Sequence, residues 1–131
     1  MSEQNNIFDA RIQFPASIIV HGPSQSGKTE WVMNLLINMK KIVNPIPKTI
    51  IWFYGTSTKT IEMLKKNNSI DIQFIQGLPK DGFDSYYHNE KHSLIIIDDL
   101  LQELCSDRNL TNLFCREGHH HNVSVILIMQ D

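Results

Sequence analysis

Cysteine is scarce in this chain: Cys105 and Cys115 are the only two among 131 residues. Two thiols make neither a disulfide framework nor a zinc motif with ordinary ligand spacing. Both are expected to be reduced, in or near a helix, acting as small apolar residues. Charge of one sign is not in excess either, since the net value is −2. Bulk electrostatics therefore gives no argument for a polyanionic partner. Any contact with nucleic acid has to be local or shared among subunits. No apolar segment is long enough to span a bilayer, and the first residues are polar rather than the apolar core of a secretory signal. An intracellular, non-secreted protein is the expectation. Internal repeats and low-complexity linkers are also lacking.

What is present is ordinary globular material, with 41% hydrophobic and 20% charged residues. The length suits a single domain over 1–131 with a core of useful size. Residues 1–10 are polar and expected to be loose.

Against that background one stretch is unusual. His21-Gly22-Pro23-Ser24-Gln25-Ser26-Gly27-Lys28-Thr29 contains G-x-x-x-x-G-K-[ST], the pattern of a loop that cradles a nucleoside triphosphate. Gly22 and Gly27 are expected to take positive-φ turns that a side chain would block. The amides of Gly22, Pro23, Ser24, Gln25, Ser26 and Gly27, proline excepted, then turn toward phosphate oxygens, aided by the positive end of the next helix. Lys28 would reach the outer phosphates, and the Thr29 hydroxyl would hold Mg²⁺. The flanks suit this reading. Ile18-Ile19-Val20 reads as a short buried strand. The following segment is amphipathic, with Glu30, Asn34, Asn38 and Lys41 on a polar row. Trp31, Val32, Leu35, Leu36 and Met39 are expected on the sheet-facing side.

Along the rest of the chain, Ile12, Phe14 and Pro15 form a lead-in beside the sheet, and strand, loop and first helix run from about Ser17 to Lys41. Pro45 and Pro47 end any helix. Thr49 to Tyr54 is β-branched and aromatic, hence a buried strand. Thr58 to Lys66 reads as a short helix with Thr58 as cap and Ile61 and Leu64 as its apolar edge. Ile70 to Ile75 alternates as a strand, and Gly77 to His92 is the least regular part. Leu94-Ile95-Ile96-Ile97-Asp98-Asp99 describes a buried parallel strand tipped with carboxylates. A helix with Leu100, Leu101, Leu104, Leu110, Leu113 and Phe114 on its apolar face follows, and Val123 to Met129 is the last strand. Alternating strands and helices predict an α/β fold with a mainly parallel sheet and right-handed crossovers.

Ligands of parallel sheets bind beyond the strand C-termini. The loop and Asp98 should therefore meet at one edge. Asp98 is placed to hold Mg²⁺ across from Thr29, usually through water. Asp99 is the candidate to polarise an attacking water, with a helix N-cap or a solvated turn acid as the alternative. Gln130, at the tip of a strand lying between the loop strand and the acid strand, would sit beside the γ-phosphate and orient that water. His119, His120 and His121 point in different directions as neighbours, so a polar turn is favoured over a metal site. Arg116 is a candidate arginine finger for a neighbouring subunit's nucleotide, or else a surface residue capping a helix C-terminus.

On these residues the chain resembles the FtsK–HerA class of P-loop ATPases, above all the viral genome-packaging ATPases of poxvirus-like and virophage- or polinton-like elements. The likeness rests on Gly22–Thr29, on Leu94–Asp99, and on Gly118-His119-His120-His121-Asn122-Val123-Ser124-Val125-Ile126 running into Gln130. It implies a three-layer, ASCE/RecA-like P-loop NTPase and a homo-oligomeric ring. It also implies ATP and Mg²⁺ as ligands, double-stranded DNA as cargo, and capsid or portal proteins as partners. The resemblance carries the nucleotide loop onto Gly22 to Thr29, the metal acid onto Asp98, the sensor Gln onto Gln130 and the basic residue near the His turn onto Arg116. His121 occupies a spot where a basic residue is often seen. The position often held by a catalytic Glu is Asp99, one methylene shorter.

The family continues with a further strand where this sequence stops at Asp131, so C-terminal truncation is an expectation of the resemblance. With it goes an uncovered edge on the Ser17 strand, marginal stability and little ATPase activity of this chain by itself. A non-catalytic or decayed nucleotide-binding fragment is the alternative reading. A small-molecule kinase is less favoured, since no Arg-rich segment follows the last strand to form a lid.

Overall fold

The computed structural model describes residues 10–23, 27–66, 69–80, 82, 83, 86, 91–98, 100 and 122–130. In chain order the elements are β1 (Ile12–Gln13), β2 (Ser17–Gly22), α1 (Lys28–Ile37), α2 (Met39–Ile42), β3 (Val43–Asn44), β4 (Thr49–Tyr54), α3 (Lys59–Lys66), β5 (Gln73–Gln76), β6 (Ser93–Asp98) and β7 (Val123–Gln130). The protein is α/β. Its central sheet has five strands in the order β2-β7-β6-β4-β5, and every pairing in it is parallel. A separate two-stranded ribbon joins β1 to β3, also in parallel.

The sheet is parallel because its central strands are apolar on both faces. All of Leu94, Ile95, Ile96 and Ile97 in β6 are fully buried, as are Trp52 and Phe53 in β4. Strand alternation sorts these residues into two packed layers. On one side Trp52, Leu94, Ile96, Ile126 and Ile128 meet Val32, Leu35 and Leu36 of α1 and Ile61 and Leu64 of α3. On the other, Ile51, Phe53, Ile95, Ile97, Val125 and Leu127 meet Phe83 and Leu100. Phe53 packs edge-on to Phe83 and Tyr86, with ring centroids 5.4 and 5.3 Å apart. At about 1.5–3 kcal/mol for each large apolar side chain fully buried, these two layers are the main source of cohesion.

The helices follow the residues that cap them. Thr58 begins α3: its hydroxyl accepts from the Ile61 amide at 3.2 Å and its carbonyl from the Glu62 amide at 3.0 Å. Between α1 and α2 the chain breaks at Asn38, whose amide and side-chain Nδ2 both donate to the Asn34 carbonyl, at 3.0 and 2.9 Å. The single helix expected to run to Lys41 is thus two, because an Asn that bonds back to the preceding turn competes with helix continuation. Trp31, expected against the sheet, is 45% exposed. The strand expected over Ile70 to Ile75 begins its ladder only at Gln73. Ile70 and Ile72 pack on the core before the pairing starts. Among the described residues no helix is long and apolar enough to cross a membrane. The helix expected after Asp99, with Cys105 and Cys115, lies outside the described residues, and with it the third layer.

Candidate functional site

Because all five strands run the same way, their C-terminal tips share one edge. The register sets Val20, Ile128, Asp98, Tyr54 and Gln76 in one row across the sheet. β2 and β7 continue two residues past that row, where Gly22 pairs with Gln130. The loop strand, the Gln130 backbone and the acid strand therefore end together, in the order expected, with β7 between β2 and β6. β2 itself lies at the edge of the sheet.

Within the loop the two glycines differ. Gly27 has φ 85° and no side chain from elsewhere near the position of a Cβ, so its requirement is conformational. Gly22 is extended as the last residue of β2, and the positive-φ turn expected there is not formed. The strand ladder with Gln130 holds it in the β region instead. Gly27 is also the N-cap of α1, with no side-chain hydrogen bond to that end. Among the described residues no side chain caps the first-turn amides of α1, which lie at the positive end of a helix of ten residues. The Lys28 ammonium folds back across the loop, donating to the Gly22 carbonyl and, at 2.8 Å, to the Pro23 carbonyl. Thr29 follows in the first turn, half-buried.

Asp98 is the last residue of β6, half-buried. Its carbonyl accepts from the Gly55 amide at 3.0 Å. Alternation puts it on the same face as Leu94 and Ile96, the face covered by α1. The structure thus brings Gly22, Pro23, Gly27, Lys28 and Thr29 to the same sheet edge and helix face as Asp98. Ser24, Gln25, Ser26, Asp99, Arg116 and His119 to His121 lie outside the described residues, as does the Gln130 side chain.

One group at this edge was not read from the sequence. Tyr54 stands beside Asp98 in the register. Its hydroxyl accepts from Lys65 Nζ at 2.8 Å, and that ammonium also lies 4.7 Å from the Tyr54 ring centre. The Tyr54 bond, more than its other surroundings, raises the Lys65 pKa above the usual lysine value. Ser57 donates to Glu62 at 2.6 Å, which together with Lys65 lowers the Glu62 pKa. These contacts tie the tip of β4 to α3. A single sequence carries no signal for them beyond a Tyr at a strand end.

Among the described residues no three His, Cys, Asp or Glu side chains converge as a metal cluster. A Mg²⁺ bound with phosphates does not need one, since it takes one or two protein oxygens and fills the rest with phosphate and water. The hard oxygens of Thr29 and Asp98 are a donor set of that kind. Comparison with protein-family models, with curated proteins and with solved structures returned no match.

Proposed function

We propose that this chain binds a nucleoside triphosphate with Mg²⁺ at the C-terminal edge of its sheet and hydrolyses it. The reading is that of a P-loop ATPase motor domain of the viral DNA-packaging type. The observation that carries it is the G-x-x-x-x-G-K-T stretch at the tip of the edge strand β2, opening α1, with Asp98 ending β6 at the same sheet edge. The α1 amides and the Lys28 ammonium would take the phosphate oxygens. Thr29 and Asp98 would hold Mg²⁺, whose part is to neutralise charge on the outer phosphates. Asp99 would accept a proton from the attacking water and Gln130 would orient that water. Arg116 would act on a neighbour's nucleotide in a homo-oligomeric ring, with double-stranded DNA as cargo and capsid or portal proteins as partners. With a net charge of −2, DNA contact would belong to the assembled ring and fall steeply with salt.

The test is Mg-ATP binding by calorimetry together with turnover measured with and without double-stranded DNA. Binding and DNA-stimulated turnover are expected. Asp99→Asn should keep most of the binding and lose turnover by roughly 10²–10⁴, the range for a general base. No binding by the wild type, or undiminished turnover in the variant, would overturn the reading in its first or second half.

A further inference from the structure

Trp31 is placed oddly for a large apolar residue. It sits in the first turn of α1, its amide donating to the Gly27 carbonyl at 2.9 Å. Yet its side chain is 45% exposed, while Val32, Leu35 and Leu36 carry the buried face. The helical phase tells which way it faces. At 3.6 residues per turn, Trp31 lies about 160° around the helix from Met33. Met33, with Leu36 and Ile37, lines a small apolar cavity closed by Leu64, Ile70 and Ile72, on the side of α3 and β5. Trp31 therefore faces the opposite flank, toward the outer side of the edge strand β2.

A bound triphosphate has a direction. Its outer phosphate has to point toward β7 and β6, where Gln130 and Asp98 end those strands. The α-phosphate end then leaves the other way, past the first turn of α1 and over the outer side of β2. We propose that the Trp31 indole is the stacking platform for the nucleobase of the bound nucleoside triphosphate. The inference rests on the triphosphate reading above and adds to it the residue that senses the base. An indole gains a large contact area on stacking. Every base offers a π-face, so the platform serves purine nucleotides without reading their edges.

The experiment compares Mg-ATP, Mg-GTP and inorganic tripolyphosphate, each titrated by calorimetry into wild type, Trp31→Ala and Trp31→Phe. Wild type should bind both nucleotides more tightly than tripolyphosphate. Trp31→Ala should weaken both nucleotides on the order of 5- to 100-fold and leave tripolyphosphate unchanged. Trp31→Phe should retain most of the affinity. Trp52 is fully buried, so nucleotide-dependent quenching should come from Trp31 and vanish in the Phe variant. Equal losses for tripolyphosphate and ATP would make Trp31 a support of the loop and overturn the proposal. So would unaltered ATP affinity accompanied by changed sedimentation, which would mark a contact between copies. If wild type binds tripolyphosphate but ATP no more tightly, the stacking proposal alone fails. If it binds neither, the triphosphate reading fails and takes this inference with it.

Discussion

At the N-terminal end of the central sheet the strands start from side chains that close on one another. His92 stacks on Phe14 with centroids 5.0 Å apart and planes 8° from parallel. Its Nδ1 meets Asn122 Oδ1 at 3.1 Å. The Ser124 hydroxyl accepts from the Ala16 amide at 2.9 Å, linking the start of β2 to β7. His92, Ser93 and Ser124 are all buried. At the C-terminal end the same strands run out into a helix start that no described side chain caps, a lysine resting on the Gly22 and Pro23 carbonyls and a half-buried Asp98. A parallel sheet makes its two ends inequivalent. Here His92 with Asn122, and Ser124 with the Ala16 amide, link the starting ends of the strands, while the finishing end carries the start of α1, Lys28 and Asp98. Substitutions at one end should cost stability, and at the other, ligand affinity.

The sharpest way to break that division is Lys28→Ala. Charge-assisted contacts to phosphate are worth about 1.5–3 kcal/mol each, so Mg-ATP affinity should fall more than tenfold. Its present contacts are to two neutral carbonyls, the part-buried one of Gly22 and the exposed one of Pro23, so the melting curve should shift by no more than about 0.5 kcal/mol in stability. Calorimetry and thermal unfolding on the same sample decide this. A loss of stability as large as the loss of affinity would mean the lysine is a structural staple.

At the other end His92→Ala removes a buried stacked ring and its bond to Asn122. A loss on the order of 2 kcal/mol is expected in urea unfolding, with ATP affinity unaltered. The gentler change His92→Gln tests the charge. Burial pushes the His92 imidazole below its ordinary pKa, and the Asn122 bond offsets only part of this. Among the described residues His92 Nε2 has no hydrogen-bond partner, so a proton there would be buried without an acceptor. Unfolded, the ring takes up a proton as pH falls below about 6.5. From there down to the depressed folded value the unfolded state binds more protons, so stability declines with falling pH. Above about 6.5 this group gives no slope. Melting temperatures of wild type and His92→Gln between pH 8 and 5 should diverge only in the acidic part, the wild type falling more steeply.

The smallest effect lies away from both ends of this division. Thr58→Ala removes the hydroxyl that caps α3 and should cost about 1 kcal/mol. Affinity for ATP should stay within error, because the Lys65–Tyr54 bond that ties α3 to the sheet tip is left intact. A larger change in affinity than in stability would show that this cluster feeds into the site.

What could be read from the residues follows from range. The strands expected over Thr49–Tyr54, Leu94–Asp99 and Val123–Met129 agree within a residue with Thr49–Tyr54, Ser93–Asp98 and Val123–Gln130, because an apolar run in a central strand needs only its own composition. Thr58 was legible as a cap because its partners are three and four residues away. The meeting of loop and acid at one edge followed from parallel strands ending together. The β1–β3 ribbon was not legible: Ile12 pairs with Val43 over a two-residue ladder that leaves no periodicity. Ile70 and Ile72 misled because alternation reports burial rather than hydrogen bonding, and they pack partly buried against the core outside the strand ladder. Trp31 misled because an apolar stripe is broad, and a residue at its margin is assigned to the core by composition alone.

The posture of Lys28 has one more consequence. By resting on the carbonyls of Gly22 and Pro23, the residue at the loop's exit ties it to the loop's entry. On the arrival of an anion the lysine would trade two neutral acceptors for charged ones by a rotation of its own side chain. Selectivity among anions would then come from how well each displaces those carbonyls.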